Sequence, residues 1–314
     1  MRKIAIMGAG GFIGTNLIKA LAKNPENHIL ALDKSEERLD AIACLKVSNV
    51  DTHLMDFNKI ETYEELLHKQ DYLFHLVSTT VPTTSNRNIP VELEENVINT
   101  SRLLNVCLEK KVGRIVFLSS GGTVYGVDNT CPLEENMSLK PINSYGMQKM
   151  VIESLLYIYK YQFGLDYKVV RLSNPYGPYQ RPDGIQGVVS TFIYKALHNE
   201  DIVIYGDGSI VRDYIYICDA VAAILRIAFS DAEDDIYNVG SGIGMSVNQV
   251  VDVIKKIVPT NSRIIYGEGR SVDVAANYLD ISRFESVFGK IPLNSLEDGI
   301  EKTVHFFETG EYCI

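Results

Sequence analysis

Short apolar runs alternate with longer segments of helical periodicity through the first half of the chain. Each apolar run has the length of a strand, and each longer segment repeats its apolar residues every three or four positions. The predicted strands are residues 4–7, 28–32, 71–77, 114–118 and 168–172, and the predicted helices are 11–23, 92–110 and 145–163. Strands separated by helices form right-handed βαβ units, so this order predicts an α/β fold with a doubly wound parallel sheet of the Rossmann type.

The pattern changes after Asn174. Residues 175–187 contain three prolines and three glycines, which exclude a regular element there. Shorter helical segments are predicted at 188–197, 219–228, 247–257 and 296–309. We therefore predict a Rossmann domain over residues 1–172 and a smaller, mixed α/β substrate lobe over 173–314. This lobe is expected to be discontinuous, with some segments returning to the first domain.

Composition narrows the class of protein. The 314 residues are 46% hydrophobic and 22% charged, which is typical of a folded protein with a large core. The 40 acidic residues exceed the 30 basic ones, and the formal charge of −10 argues against nucleic acid or an anionic membrane as the main partner. No window approaches the ~18 continuous apolar residues of a spanning helix, so no membrane partner is predicted.

The five cysteines and six histidines indicate neither a disulfide framework nor a metal site. The cysteines are scattered and form no C-x-x-C pair, and the histidines lack the spacing of metal ligands. The first residues also lack the apolar core of a signal peptide. We predict no metal and a reducing, cytoplasmic location.

A glycine loop separates the first predicted strand from the first predicted helix. Gly8, Gly11 and Gly14 are spaced as in a dinucleotide-binding loop. Glycine allows the tight turn and the close approach of a pyrophosphate, while the start of the helix, at Phe12 and Ile13, offers unpaired N–H groups and a positive dipole end. The loop predicts a bound dinucleotide.

Asp33 ends the second predicted strand, about 20 residues beyond the loop. A carboxylate at this place can accept both ribose hydroxyls of NAD, and it repels the extra phosphate of NADP. Lys34 follows directly and softens that preference. We predict NAD as the cofactor.

Tyr145 and Lys149 lie four residues apart on a predicted helix, so the phenol and the ammonium share one face. The pKa of a free tyrosine is about 10, too high for a base at neutral pH. A cation about 5 Å away supplies roughly 3 kcal/mol at an effective dielectric near 20, which lowers that pKa by about two. The hydroxyl-rich segment 119–126 follows a strand, at the sheet edge where α/β proteins bind ligands.

These segments together resemble the extended short-chain dehydrogenases/reductases, in their nucleotide-sugar epimerase/dehydratase group, and most closely the UDP-hexose 4-epimerases. The resemblance covers essentially the whole chain. It is carried by the glycine loop, the segment 119–126, Tyr145 with Lys149, and the segments 171–178, 205–214 and 269–273.

The resemblance implies a role for each matching residue. Tyr145 would be the base and Lys149 its electrostatic partner. The implied cofactor contacts are Gly8, Gly11, Phe12, Ile13, Gly14, Asp33, Lys34, Asp56, Phe57, Leu76, Ser78, Asn96, Ser119, Tyr145 and Lys149. The implied contacts to the nucleotide sugar are Gly121, Thr123, Asn174, Arg212, Arg270, Asp273 and Asn277, with the two arginines on the diphosphate.

The chain departs from the epimerase pattern at two positions. Gly121 stands where the pattern has the Ser or Thr that binds the reacting oxygen of the sugar, so the hydroxyl must come from Ser120, from Thr123 or from a water held by the glycines. We favour Thr123. Asn277 stands where a bulky tyrosine makes some family members exclude N-acetylated sugars, so we expect UDP-N-acetylhexosamines to be tolerated. The related dehydratases have an Asp-Glu pair where this chain has Gly122 and Thr123, which argues against elimination of water.

The resemblance implies NAD-dependent 4-epimerisation of a UDP-hexose, namely UDP-glucose/galactose or their N-acetylated equivalents, through a transient 4-keto sugar. An NDP-4-keto-sugar reductase and a non-catalytic dinucleotide sensor are the alternatives. Family members usually form homodimers through a four-helix contact, here helices 92–110 and 145–163. The apolar positions that fit such a contact, or equally the core of a monomer, are Val97, Leu103, Leu104, Val151, Leu155 and Ile158.

Overall fold

Thirteen strands and ten α-helices are found in the computed structural model, which describes residues 1–44, 47–182, 187–269 and 274–311. The strands are β1 (Arg2–Met7), β2 (Asn27–Asp33), β3 (Val50–Leu54), β4 (Tyr72–His75), β5 (Arg114–Ser120), β6 (Asp166–Leu172), β7 (Asn174–Tyr176), β8 (Ile202–Tyr205), β9 (Val211–Tyr216), β10 (Ile236–Val239), β11 (Gly244–Ser246), β12 (Ile264–Gly267) and β13 (Ala276–Asn277). The helices are α1 (Phe12–Leu21), α2 (Glu36–Ala43), α3 (Ile89–Leu93), α4 (Asn99–Glu109), α5 (Ser144–Phe163), α6 (Val188–Leu197), α7 (Ile217–Ala228), α8 (Val247–Ile257), α9 (Ser282–Phe288) and α10 (Leu296–Thr309).

Seven strands form one sheet in the order β10-β6-β5-β4-β1-β2-β3, and every pair in it is parallel. The chain runs from β1 outward in one direction to β3 and then in the other direction through β4 to β6. The strand order therefore reverses between β1 and β4, which is where open α/β sheets bind ligands. The predicted doubly wound parallel sheet is confirmed.

Side chains of one strand divide between the two faces of this sheet. In β1, Ile4 and Ile6 belong to the core on one face, whereas Ala5 and Met7 belong to the core on the other. Alternate residues of a strand point to opposite faces, so a strand buried on both sides reads as a continuous apolar run. This is why the apolar runs located the central strands.

The smaller lobe is built from β7, β9, β11 and β13 in one sheet and from β8 and β12 in another. Helices α6, α8 and α10 pack against one another beside these strands. The predicted mixed α/β lobe is confirmed. The boundary at residue 172 stays a prediction, but β10 pairs in parallel with β6, so a segment from the second part of the chain does return to the first sheet.

The segment predicted as one helix over 92–110 is interrupted. A π-helical turn, Glu94–Ile98, separates α3 from α4. In this turn the buried amide of Asn96 accepts a hydrogen bond from the Thr79 backbone N–H (2.9 Å) and donates one to the Thr79 hydroxyl (2.8 Å). The turn thus faces the loop after β4, in keeping with the frequent occurrence of π turns at functional sites.

The helix positions proposed for a dimer contact are mostly inside the monomer. Val97, Leu103 and Leu104 are buried in the core beneath the sheet, and Val151 and Leu155 pack against that core. Ile158 alone among the six is exposed. The apolar pattern of these positions therefore belongs to the core of the monomer, which was the alternative interpretation.

Candidate functional site

A cleft of about 800 Å³ lies at the carboxyl ends of the central strands and extends to the smaller lobe. The glycine loop lines one part of it, and β8 and β9 line another. Its charged lining residues are Lys149, Lys195 and Arg212, and no carboxylate from the described ranges lines it. The charged side chains that line the cleft in the described ranges are thus all cationic, which suits a ligand that carries phosphate groups.

The glycine loop has the geometry of a pyrophosphate cradle. Gly8 has a φ of +84°, and a Cβ on Gly14 would lie 2.5 Å from the Gly8 carbonyl oxygen. Helix α1 begins after Gly11 with no side-chain cap and with no acidic residue in its first turn. The first N–H groups of the helix, including those of Phe12 and Ile13, thus have no side-chain cap and border the cleft. These residues fit a dinucleotide.

Asp33 joins the second strand to the glycine loop. Its carboxylate accepts hydrogen bonds from the Gly10 N–H (2.9 Å) and the Ser35 N–H (3.1 Å), and the side chain is buried. Neither Asp33 nor the exposed Lys34 is among the residues that line the cleft. The contact of Asp33 with the ribose of a cofactor therefore stays a prediction.

The other implied cofactor contacts fall into two groups. Leu76, Ser78 and Ser119 line the cleft. Phe57 does not, because its ring is buried 5.2 Å from the His75 ring, and Asp56 and Asn96 are also absent from the lining. Gly121, an implied contact to the nucleotide sugar, is absent from it too. Asn96 contacts the loop after β4 instead, as described above.

The phenol of Tyr145 and the ammonium of Lys149 both line the cleft, from the first turns of α5. Helix α5 begins cleanly because the Asn143 side chain accepts a hydrogen bond from the Gly146 N–H at 2.8 Å. The Lys149 Nζ donates to the Leu118 carbonyl oxygen at 2.8 Å and lies 5.6 Å from the centre of the Tyr145 ring. The predicted pair is therefore present on one helix face.

The pKa of Tyr145 differs from the expectation. Burial raises it to about 12, against a lowering by the hydrogen bond with Ser120, and Lys149 is not among the causes. Burial also lowers the pKa of Lys149 to about 8, while Glu153 raises it. The predicted lowering of the Tyr145 pKa by Lys149 is not found in the protein without cofactor, because loss of solvent raises this pKa and only the Ser120 hydrogen bond opposes it.

Ser120 is the hydroxyl that contacts Tyr145. Thr123 also lines the cleft, but its Oγ1 is buried and has no hydrogen-bond partner in the described part of the chain. The preference for Thr123 is not supported by this arrangement. Ser120 ends strand β5, which explains why its hydroxyl is held beside the phenol.

Gly121 leaves no room for a side chain. A Cβ there would lie 2.6 Å from Leu279 Cδ1 and 3.1 Å from the Arg171 carbonyl oxygen. Leu279 thus occupies the space that a serine or threonine at this position would need. Packing of Leu279 therefore explains why position 121 has no hydroxyl. The neighbouring hydroxyl is that of Ser120, the last residue of β5.

Asn277 is placed differently from the expectation. It is buried, its amide lies 3.4 Å from the carbonyl oxygens of Gly121 and Gly122, and it does not line the cleft. The side chain therefore sits behind the glycine pair. The structure thus places Asn277 behind the cleft lining, and the tolerance of an N-acetyl group stays a prediction.

Two more of the predicted contacts to the nucleotide sugar line the cleft, and two others lie outside the described residues. Arg212 lines the cleft, and its guanidinium donates to the carbonyl oxygens of Val211 (2.8 Å) and Val274 (2.7 Å). Asn174 also lines it and donates to the Asp213 carbonyl oxygen at 2.8 Å. Arg270 and Asp273 lie outside the described residues.

Lys195 of α6 is a cleft residue that sequence reasoning missed, although it follows the Pro- and Gly-rich segment at helical spacing from Thr191.

No group of three or more His, Cys, Asp or Glu side chains is placed to hold a metal ion within the described ranges. A membrane span is likewise not found, since no described helix is both long and apolar enough.

The fold and the cleft define a dinucleotide-binding α/β protein whose Tyr–Lys pair can exchange a proton with a bound hydroxyl group. Residues 4–240 match the NAD dependent epimerase/dehydratase family. The chain belongs to this family, and the predicted family and its NAD dependence are confirmed.

Two curated relatives and one solved structure are similar to this chain over nearly its whole length. UDP-glucose 4-epimerase of Mycolicibacterium smegmatis is 30% identical over 306 residues, which cover 96% of this chain and 97% of that protein. A dTDP-4-dehydro-6-deoxyglucose reductase of Escherichia coli is 31% identical over 307 residues, 96% of each chain. The crystal structure of UDP-glucose 4-epimerase from Thermotoga maritima with UDP-glucose is 31% identical and covers 98% of this chain and 99% of that chain, with a TM-score of 0.90.

Proposed function

We propose that this protein is an NAD-dependent 4-epimerase of a UDP-hexose, with UDP-glucose/galactose or their N-acetylated equivalents as substrates. The observation that carries the proposal is the contact of Tyr145 with Ser120 and the position of Lys149 on the same helix face, inside a cleft that begins at the glycine loop. The similarity to epimerases along the whole chain supports it.

Each of these side chains would have a separate role in the reaction. Ser120 would hold the 4-oxygen of the sugar, and Tyr145 would take the hydroxyl proton as hydride leaves C4. Bound NAD supplies the acceptor for that hydride. Lys149 would stabilise the phenolate and, once the dinucleotide excludes water, hold its ribose. Arg212, with Arg270 as the predicted second cation, would hold the diphosphate while the 4-keto sugar turns over and receives the hydride on its opposite face.

Incubation of the purified protein with UDP-glucose, UDP-N-acetylglucosamine and UDP-glucuronate, without added cofactor, tests this proposal. Proton NMR should follow the formation of the corresponding galacto isomer, with no net change in cofactor absorbance. A protein that binds NAD but isomerises none of the three sugars would contradict the proposal.

The second candidate, an NDP-4-keto-sugar reductase, is favoured by one finding, the 31% identity to the Escherichia coli reductase. It would use the same Tyr145 to donate a proton to the keto oxygen while NAD(P)H is consumed. Stoichiometric oxidation of NADPH by a 4-keto sugar, without isomerisation of any UDP-hexose, would favour this activity. A non-catalytic sensor would show neither reaction.

Replacing Ser120 by alanine should lower kcat by about 10- to 100-fold, because a hydrogen bond to a group that becomes charged is lost. The same change at Thr123 should lower it less than about threefold, since this hydroxyl has no described partner. Steady-state rates of the two variants measure the difference. A greater loss of kcat in Thr123→Ala than in Ser120→Ala would show that Thr123 supplies the hydroxyl.

We also propose a homodimer, now through the exposed face of α5. Tyr157, Ile158 and Tyr161 are 60%, 48% and 76% exposed, and the two tyrosine rings lie 6.3 Å apart. Tyr157→Glu combined with Tyr161→Glu should weaken self-association by at least ~30-fold, since buried tyrosines are frequent hot spots. Sedimentation velocity over a concentration series measures this. A wild-type protein that stays monomeric at every concentration excludes the dimer.

The reducing, cytoplasmic location remains part of the proposal. It is supported by the scattered spacing of the five cysteines, which form no C-x-x-C pair.

A further inference from the structure

A buried carboxylate, Glu92, lies outside the set of residues so far given a role. It is 5% exposed and belongs to α3, which packs against α5. No Lys, Arg or His in the described ranges pairs with it. Burial alone would raise its pKa, but hydrogen bonds from Ser144 and from the backbone N–H groups of Asn88, Asn86 and Arg87 outweigh burial and lower it.

Three of its hydrogen bonds come from one loop. The backbone N–H groups of Arg87 (3.1 Å) and Asn88 (3.3 Å) donate to Oε1, and that of Asn86 (3.4 Å) donates to Oε2. This loop, residues 78–88, is here named the wall loop because Ser78 and residues 80–83 line the cleft. One carboxylate therefore holds the end of the wall loop.

The other two donors are side chains of α5. The Ser144 hydroxyl donates to Glu92 Oε2, and the Gln148 amide donates to the same oxygen at 3.2 Å. Ser144 directly precedes Tyr145, and Gln148 directly precedes Lys149. Each member of the Tyr–Lys pair thus follows a residue that is bonded to Glu92.

Further bonds tie the same two residues to the wall loop. The Asn86 side-chain oxygen accepts from the Ser144 N–H at 2.7 Å, and Asn86 itself has a φ of +71°. The Gln148 side-chain oxygen accepts from the Thr80 hydroxyl at 3.3 Å. Ser144, Gln148 and Thr80 are all buried. These three side chains and that of Glu92 are closed to solvent, and together with the exposed Asn86 they join the cleft wall to the first two turns of α5.

We propose that Glu92 is a positioning residue for the reaction: its carboxylate fixes Tyr145 and Lys149, through Ser144 and Gln148, at a set distance from the cleft wall. This inference rests on the proposed function. It extends the site to a residue that contacts neither cofactor nor substrate. A carboxylate accepts several hydrogen bonds at once, whereas a glutamine in its place has one acceptor oxygen and adds an NH2 group that faces existing donors.

Glu92→Gln should therefore lower kcat by about 10- to 100-fold, since a displacement near 1 Å of a catalytic group has effects of this order. KM for UDP-glucose and the content of bound NAD should change by less than about threefold, because the phosphate-binding residues belong to other elements. The rate is expressed for each NAD-loaded site. Glu94→Gln is the matched control, since Glu94 is exposed and its ion-pair partner in the described part of the chain is Arg102 at 2.9 Å; this variant should match wild type.

A merely structural role predicts a different result. It would lower the yield or the NAD-loaded fraction and leave the rate of each loaded site unchanged, and that outcome would overturn the proposal. If Glu92→Gln does not fold, Ser144→Ala and Gln148→Ala carry the test, each with a loss in kcat of about 3- to 10-fold and an unchanged KM. Unchanged kcat in both would overturn it too.

A double-mutant cycle sharpens the assignment. If Glu92 acts through Ser144, the losses of Glu92→Gln and Ser144→Ala should combine to less than their product, whereas independent effects would multiply. The wild-type enzyme separates this proposal from the proposed function. An inactive wild type refutes the epimerase, whereas an active wild type with a fully active Glu92→Gln refutes the positioning role alone.

Discussion

Replacing Tyr145 by phenylalanine is expected to lower kcat by about 10³-fold, within the range that general acid–base groups contribute. The ring would still pack in the cleft, but the phenolic oxygen that contacts Ser120 would be lost. NAD content should stay at the wild-type level, because the glycine loop and Lys149 are untouched. Isomerisation of UDP-glucose and release of bound cofactor on denaturation measure the two quantities.

Tyr72→Phe is the matched control for this variant. Tyr72 begins β4 at the amino end of the sheet, and its ring packs at 4.8 Å against Phe229, away from the cleft. The control should keep wild-type activity. If Tyr145→Phe retained more than a tenth of the wild-type kcat, Tyr145 would not be the base.

Replacing Arg171 by methionine is expected to lower the free energy of unfolding by about 3–5 kcal/mol, because the Glu153 carboxylate would remain buried without its cation. Arg171 Nη2 donates to Glu153 at 2.7 Å, and both side chains are only 4% exposed. Its Nη1 donates to the Tyr125 hydroxyl and to the Glu135 carbonyl oxygen, each at 3.0 Å. Equilibrium unfolding in urea measures the loss.

Arg263→Met gives the comparison at the surface. Arg263 pairs with Asp201, but its side chain is 77% exposed, so the loss should be within about 1 kcal/mol. If the two variants lost equal free energies of unfolding, burial of the Arg171–Glu153 pair would not increase its contribution to stability. Glu153 lies one helical turn beyond Lys149 on α5. The Ser119 hydroxyl also donates to the Glu153 carboxylate. The site is therefore built on the most deeply buried ion pair described here.

Sequence reasoning located the central strands well because parallel strands buried on both faces are almost continuously apolar. It missed β3 and α2 for the converse reason. In β3 all five residues are exposed or half-buried on the edge of the sheet, so no apolar run marks it. In α2 only Leu39 and Ile42 are buried, too few to give a clear helical period.

Within the site, motifs predicted many of the residues that line the cleft, but not how these residues are surrounded. The spacing of Tyr145 and Lys149 placed both on one face, yet it carried no information on the burial that raises the pKa of the phenol. The position of Asn277 depends on the pairing of β13 with β9, and the space at Gly121 depends on Leu279. Contacts between segments so far apart in the chain leave no local signal.

The pairing of β10 with β6 has a consequence for how the chain can be divided. A fragment that ends at residue 172 would lack β10 and leave residues 169–172 of β6 as an open edge, which is a template for aggregation. The dinucleotide-binding half is thus not a module that can be cut out and reused. It is completed only after the chain has passed through the smaller lobe and returned, so the two halves of the enzyme must fold as one unit.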